Sequence, residues 1–332
     1  MMNNLEIRQM AVVVTYDCNL KCEYCFVSKK ESAGTIDVQT VLRSVDMWKR
    51  FFSNGKTDLG ILFTGGEPLL RWPTILTIIK ELENHYPDIS FAYHITTNGV
   101  LMTESLLPDI QNRPIFFCVS LDGEEIGSQE RLHDSHVLFS AIEKNIVTFH
   151  QALGDDRFRV RMTVTPQNVH GFLAGVDYFV RLGIKNIHFS PNYEEDWDDD
   201  SLSSYYDAFC QLRKFDGSGI IIEPFNSFRE NGVDKLGPYE HDCSFLPTID
   251  TSGNVYYCPR YAGKRIHRLG NVENPVKVLL GFRELVHSEH ELFSRKQMSF
   301  ICPSNYWENK ESLANFEAFY RLYKKSFVCE SP

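Results

Sequence analysis

The chain has 332 residues, 43% apolar and 23% charged, with a formal net charge of −10. That length can bury a sizeable core shared between a larger and a smaller domain, and the negative charge speaks against a general nucleic-acid binder, which would carry a basic face. No apolar run reaches the roughly 18 residues of a membrane span, and the opening Met1-Met-Asn-Asn-Leu-Glu lacks a basic segment followed by an apolar one. The composition therefore implies a cytoplasmic enzyme that binds neither nucleic acid nor membrane, with its nine cysteines kept as thiols or metal ligands.

Met10 to Thr15 is a short apolar run that reads as a buried strand and delivers the chain into Cys18-Asn-Leu-Lys-Cys22-Glu-Tyr24-Cys25. Three thiols crowded into eight residues suit metal or redox chemistry better than disulfides. Zinc sites usually draw paired motifs from separated segments, whereas an iron-sulfur cluster can take three thiolates from one loop; structural zinc is the alternative. Thr35 or Asp37 can cap a helix whose apolar positions Val38, Val41, Leu42, Val45, Trp48 and Phe52 recur at helical spacing, ended by Asn54-Gly55.

Strand and helix then alternate. Strands are expected at Leu59 to Thr64, Phe91 to Thr97, Ile115 to Leu121, Phe158 to Thr165 and Asn186 to Ser190, with helices at Thr74 to Tyr86, Thr103 to Gln111, Ser135 to Leu153, Gly171 to Leu182 and Leu202 to Phe215. Such alternation predicts a parallel α/β sheet covered by helices, with its active site at the C-terminal ends of the strands. Periodicity does not separate an open doubly wound sheet from a barrel, but six strand-helix units are too few to close an eight-fold barrel. After Ile220-Ile-Ile-Glu223 the texture changes to frequent Pro, Gly and Asn from Pro224 to Pro238. A boundary there divides a core domain, 1–225, from a smaller one, 226–332.

Thr64-Gly65-Gly66-Glu67-Pro68 follows the second strand, Thr97-Asn98-Gly99 the third and Ser120-Leu-Asp122-Gly123 the fourth. Paired glycines let a ligand approach backbone without a Cβ in the way, and Glu67 adds a carboxylate suited to an ammonium group. With the CxxxCxxC loop, these motifs make the chain resemble the radical S-adenosylmethionine (SAM) superfamily.

The resemblance implies a partial (β/α)6 barrel of the radical SAM type. It implies a 4Fe–4S cluster on Cys18, Cys22 and Cys25 whose fourth iron is left to SAM. Tyr24 lies beside the adenine; Gly65, Gly66, Glu67 and Pro68 face the methionine amino group; Asn98 and Ser120 approach the ribose and carboxylate. Arg131 stands one residue from the spacing at which that family places an arginine reaching the SAM carboxylate. Cleavage of SAM gives methionine and a 5′-deoxyadenosyl radical that takes a hydrogen atom from substrate, with the electron supplied by a flavodoxin- or ferredoxin-type donor.

Cys243, Gly253 and Cys258 fit the opening of the SPASM or twitch extension of this superfamily, with Thr248 to Tyr257 as a hairpin turning at Ser252-Gly253-Asn254. The chain departs from the full SPASM pattern, offering only Cys302, with Asn305 where a further thiol would fall, and Cys329. One auxiliary iron-sulfur cluster on Cys243, Cys258 and Cys302, with Cys329 or a non-thiol group as fourth ligand, follows from the resemblance; zinc is the alternative.

Several residues have plainer readings. Cys118 and Cys210 read as buried structural thiols, His94 and His188 as hydrogen-bonded core residues of their strands, and Thr163 and Thr165 as strand packing or cleft lining. The acidic run Glu194 to Asp200 is a solvated helix entry or a docking surface for a basic peptide.

Members bearing the extension mostly modify peptides or proteins, so the resemblance implies a maturase forming a thioether or carbon-carbon cross-link. No separate leader-binding domain is expected before the barrel. Alternatives are an anaerobic sulfatase-maturing enzyme, a small-molecule dehydrogenase or epimerase, and a non-catalytic iron-sulfur or zinc scaffold.

Overall fold

The computed structural model describes residues 7–27, 34–49, 58–133, 135–226, 230, 246–264, 268–281, 318–319, 321–323 and 325. Seven parallel strands run in chain order: β1 (Gln9–Thr15), β2 (Asp58–Gly65), β3 (Ser90–Thr97), β4 (Ile115–Ser120), β5 (Phe158–Val164), β6 (Asn186–Pro191) and β7 (Ile221–Glu223). Their spatial order is also 1-2-3-4-5-6-7. A doubly wound sheet reverses its order at a switch point; here no reversal occurs, so right-handed crossovers stack every helix on one side and curl the sheet. The result is a partial barrel. The seventh strand is only three residues long, too short to announce itself by alternation.

The helices form where caps and apolar stripes coincide. Asp37 caps α1 (Val38–Trp48) by accepting from the Gln39 and Thr40 amides, and the stripe Val41, Leu42, Val45 and Trp48 is buried. Phe52 and Asn54-Gly55 lie outside the described residues. Next come α2 (Trp72–His85), α3 (Leu107–Ile110) and α4 (Gln129–Leu132). Ser135 caps α5 (His136–Leu153), which ends at Gly154 with φ 73°. Beyond it, α6 (Phe172–Arg181) follows a 3-10 turn at Val169–Gly171. Asp198 starts α7 (Asp199–Gln211) three residues before the expected Leu202, its side chain accepting from the Ser201 amide. Two expected helices are partly 3-10: Glu104–Leu106 leads into α3, and Leu212–Phe215 continues α7.

The strands β8 (Thr248–Ile249), β9 (Asn254–Tyr256) and β10 (Arg268–Asn271) do not build a sheet of their own. β8 pairs parallel with β1, Ala11 opposite Thr248 and Val12 opposite Ile249, and the antiparallel β8–β9 hairpin turns at Gly253 with φ 75°. The sheet thus has ten strands in the order β10-β9-β8-β1-β2-β3-β4-β5-β6-β7. Most of the boundary stretch Pro224 to Pro238 lies outside the described residues.

The two faces of the sheet differ. On the helix side Phe63, Ile95, Phe117, Val160 and Ile187 are buried in one core with Ile75, Ile78, Ile142 and Phe149. On the inner side Thr96, Arg159, Arg161, Thr163 and Ser190 are half-buried or exposed. His94 and His188, expected in the core, also lie on this inner side and are half-buried, His94 stacking on Phe116 with ring centroids 4.9 Å apart. Both occupy even steps of strands whose odd steps fill the core. Cys118 is buried, whereas Cys210 is only half-buried. No helix among the described residues is long and apolar enough to cross a membrane.

Phe117 is 1% exposed and packs edge-on to Phe149 at 5.4 Å. Phe117→Ala should lower stability by about 3–5 kcal/mol, measured by urea unfolding, while Val137→Ala, at a site 79% exposed, should change it by less than about 0.5 kcal/mol.

Candidate functional site

The cysteine loop leaves β1 at the mouth of the barrel and returns alongside it. Thr15 Oγ1 donates to the Gly34 carbonyl at 3.0 Å, and the Ile36 amide donates to the Val14 carbonyl at 2.9 Å. Leu20 anchors the loop in the core. Cys18 is exposed, and Cys22 and Cys25 are half-buried. The Cys18 sulfur accepts from the Leu20 amide at 3.4 Å and Asn98 Nδ2 at 3.7 Å; Arg131 Nη1 stands 3.9 Å from the Cys22 sulfur. Burial pushes the Cys22 thiol up to about 11 while the Arg131 charge pulls the other way, and burial raises Cys18 too. Among the described residues no three His, Cys, Asp or Glu close on a point at metal-binding spacing; the three thiols share a loop without converging. Their chemistry nevertheless fits an iron-sulfur cluster ligated at three corners, with a guanidinium beside one sulfur to favour the thiolate.

The loop after β2 supports the cysteine loop from beneath. The Gly66 amide donates to the Thr15 carbonyl at 2.8 Å and the Glu67 amide to the Asp17 carbonyl at 2.7 Å. A Cβ on Gly65, whose φ is 142°, would stand 2.1 Å from the Thr15 oxygen, and one on Gly66 would stand 2.2 Å from the Asp17 oxygen. The paired glycines therefore admit the protein's own backbone. Glu67 is wholly buried; its carboxylate accepts from Thr97 Oγ1 at 2.8 Å, the Asn98 amide at 2.7 Å and the Leu69 amide at 3.0 Å. Burial raises its pKa against those three bonds. Pro68, itself buried, opens the 3-10 turn Pro68–Arg71. Arg71 reaches back to Asp17 Oδ2 and to Thr35 Oγ1, each at 2.7 Å.

A second group of contacts grips the loop from the other side. Asp122, 3% exposed, accepts from Arg131 Nε at 3.0 Å and Nη2 at 3.1 Å, from the Thr163 amide at 2.7 Å, and from the Tyr24 hydroxyl. The Arg131 guanidinium lies 5.4 Å from the Tyr24 ring centre. Arg131 is thus buried with two of its nitrogens committed to Asp122, and Tyr24 is tied to the same carboxylate. Glu130 adds a backbone bond, its carbonyl accepting from the Glu23 amide at 2.9 Å, and its carboxylate takes the Thr165 hydroxyl at 2.5 Å. Asn98 Nδ2 donates to Asn19 Oδ1 at 2.8 Å, and Ser120 is half-buried on the inner face. Sequence reasoning named Asp122 only within Ser120-Leu-Asp-Gly123 and missed its role. The available signal was a carboxylate at the end of an apolar strand, where an ionised group needs partners.

Of the second cysteine set, only Cys258 is described; Cys243, Cys302 and Cys329 lie outside the described residues. Cys258 caps a 3-10 turn, Pro259–Tyr261, its sulfur accepting from the Arg260 amide at 3.4 Å. With Tyr16 it packs on a cluster of Val13, Tyr256, Tyr261 and Ala262, which places this turn over the inner face of β1 beside the cysteine loop. Asp250, also missed, holds the hairpin: it accepts from the Ser252 and Asn254 amides at 2.9 Å each and from the Tyr256 hydroxyl at 2.9 Å. Much of the acidic run is spoken for: Glu194 pairs with Arg260 at 3.1 Å, and Asp198 to Asp200 form the start of α7, where negative charge is favoured.

The family model of the Radical SAM superfamily matches residues 12–200, more than half of the chain. The chain belongs to that superfamily. As a radical SAM protein it takes the superfamily's cofactors, a 4Fe–4S cluster and SAM. It is similar to an uncharacterized protein of Methanocaldococcus jannaschii, 25% identical over 284 residues that cover 82% of this chain and 92% of the relative. It is also similar to the cysteine-type anaerobic sulfatase-maturating enzyme of Clostridium perfringens, 24% identical over 292 residues covering 77% of this chain and 75% of that enzyme. Among solved structures, the radical SAM fold matches native anSMEcpe with bound AdoMet at a TM-score of 0.74 and 18% identity, over 97% of this chain and 98% of that one. The same protein with AdoMet and the Cp18Cys peptide matches at 0.73.

Asp122→Asn leaves a buried guanidinium without its counter-charge and should cost about 3–5 kcal/mol, read by thermal or urea unfolding; a loss below about 1 kcal/mol would overturn the buried-pair description. Gly66→Ala should leave the circular dichroism spectrum of the barrel intact while sharply reducing iron and sulfide uptake on reconstitution, because the added methyl displaces the Asp17 carbonyl.

Proposed function

We propose that this radical SAM enzyme oxidatively modifies a ribosomally synthesised peptide, forming a thioether or carbon-carbon cross-link. In this reading Cys18, Cys22 and Cys25 hold the cluster. The loop from Gly65 to Pro68, Asn98 and Ser120 border SAM, with Tyr24 beside the adenine. Arg131, fixed by Asp122, acts on the Cys22 side of the loop; contact with the SAM carboxylate would require it to leave that pair. The cofactor pair, when bound, supplies a 5′-deoxyadenosyl radical; the chain's own residues orient SAM and substrate and exclude water.

The observation that carries the reading is the packing of the Cys258 turn on Val13 and Tyr16. It brings the turn at Cys258 over the inner face of β1, beside the strand end that leads into the thiols. There we place one auxiliary iron-sulfur cluster on Cys243, Cys258 and Cys302, with Cys329 as a candidate fourth ligand, positioned to receive the electron that leaves with the second hydrogen of a cross-link. The division into a core domain, 1–225, and an auxiliary domain, 226–332, belongs to the same proposal, as do a cytoplasmic location and a flavodoxin- or ferredoxin-type donor. The peptide substrate is supported by the similarity to anSMEcpe, whose structure has been solved with AdoMet and the Cp18Cys peptide. A second reading, maturation of a sulfatase, is favoured by the similarity spanning 75% of the Clostridium perfringens enzyme.

Anaerobic reconstitution with iron, sulfide, SAM and dithionite should release 5′-deoxyadenosine from the native chain and none from Cys22→Ala; no release from the native chain would leave a scaffold. Co-expression with a precursor peptide encoded beside this chain, followed by mass spectrometry, should show loss of two hydrogens. An unchanged mass gaining one deuteron in heavy water would replace the cross-link with an epimerisation.

A further inference from the structure

β5 reads Phe158-Arg-Val-Arg-Met-Thr-Val164, and its residues alternate between two environments. Phe158, Val160, Met162 and Val164 are buried in the core beneath the helices, while Arg159, Arg161 and Thr163 point to the inner side. Arg161 is the exposed member of the strand. It pairs in register with Ser120 of β4 and His188 of β6, and His188 in turn pairs with Glu223 of β7. One step further along β5, the Thr163 amide is pinned to Asp122, the residue that grips the cysteine loop. Arg161 therefore sits one inward-facing position below the mouth, beside the strand end where Ser120 borders the proposed SAM site.

The guanidinium makes no ion pair or side-chain hydrogen bond with any described residue. That sets it apart: Arg131 is locked to Asp122, Arg71 to Asp17, Arg181 to Glu124 and Arg260 to Glu194. In a chain with 44 acidic residues against 34 basic ones, an arginine on the concave face without a carboxylate stands out. While the cleft is open, water solvates it. When a substrate fills the cleft and displaces that water, an uncompensated cation becomes costly unless the substrate supplies the anion. Arginine's planar fork matches a carboxylate with two parallel hydrogen bonds, shorter and stronger than neutral ones.

We propose that Arg161 binds a carboxylate of the substrate inside the barrel and so fixes which part of it faces SAM. The inference rests on the peptide-maturase reading and deepens it: the peptide presents an acidic side chain, or its own C-terminal carboxylate, close to the residue that loses hydrogen. Arg161 is then a specificity-determining residue, and a peptide amidated at that position would be a poor substrate.

The test uses the full chain, reconstituted anaerobically and saturated with SAM, and three small probes observed by saturation-transfer NMR: N-acetylglutamate α-amide, N-acetylglycine and neutral N-acetylglutamine α-amide. The charged probes should bind and the neutral one should not; binding of the first alone assigns a side-chain carboxylate, and of the second alone a chain terminus. Arg161→Gln should weaken that binding by about tenfold or more, and Arg161→Lys should restore part of it. Iron content and SAM affinity should stay those of the native chain in both variants. Equal binding of charged and neutral probes, or probe binding unchanged in Arg161→Gln, overturns the proposal. So does a loss of SAM affinity in that variant, which would make the methionine carboxylate the ligand. Because the probes need no turnover, a chain that binds them but leaves every precursor peptide unmodified would refute the maturase reading while leaving the carboxylate site standing.

Discussion

Two backbone hydrogen bonds hold the site together: Gly66 amide to Thr15 carbonyl, and Glu67 amide to Asp17 carbonyl. They join the cysteine loop to the loop after β2 along a seam so close that neither Gly65 nor Gly66 has room for a Cβ. Everything above this seam depends on it. The thiols are carried on a segment whose entry is fixed by main-chain atoms, to which side chains add further support. Glu67 extends the seam sideways, its buried carboxylate joining the end of β3 through Thr97 and Asn98. One short loop thereby sets three strand ends relative to one another.

Asp122 completes the support from the far side. Its four hydrogen bonds come from three residues, Tyr24 in the cysteine loop, Arg131 in α4 and Thr163 in β5, so a single ionised group links elements remote in sequence. A buried aspartate and arginine gain little net stability over an apolar pair of the same shape, because both lose hydration. What they supply is geometry, since each has a fixed set of hydrogen-bond directions that only one arrangement satisfies. The same economy recurs at Asp250, which closes the hairpin carrying Cys258 and receives Tyr16 from the loop.

The strands and longer helices were legible in the sequence because each is announced locally: Asp37 before the stripe of α1, Ser135 before α5, and apolar runs bounded by turns for β1 to β6. The cysteine and glycine motifs were legible for the same reason, being short and contiguous. What escaped was set by distance or brevity. The one-turn α4 and three-residue β7 are too short to show a period. The Asp122 partners lie up to 98 residues away, and no local pattern reports them. The glycine pair was read as room for a ligand, while the structure fills that room with the Thr15 to Asp17 backbone; both uses demand a missing side chain, and composition cannot tell them apart. The two inner-face histidines were misplaced because alternation fixes which residues share a face without saying which face is wet.

The pairing of β8 with β1 has a consequence for the order of assembly. Until Thr248 emerges, the outer edge of the first strand at Ala11 and Val12 has no strand beside it and offers amides and carbonyls to any passing partner, although the six strands that follow it are already made. Synthesis runs from the N-terminus, so the ribosome must deliver most of the polypeptide before the earliest strand is fully enclosed. The strand that leads into the cysteine loop is therefore flanked on both sides only after the strands on its other side exist.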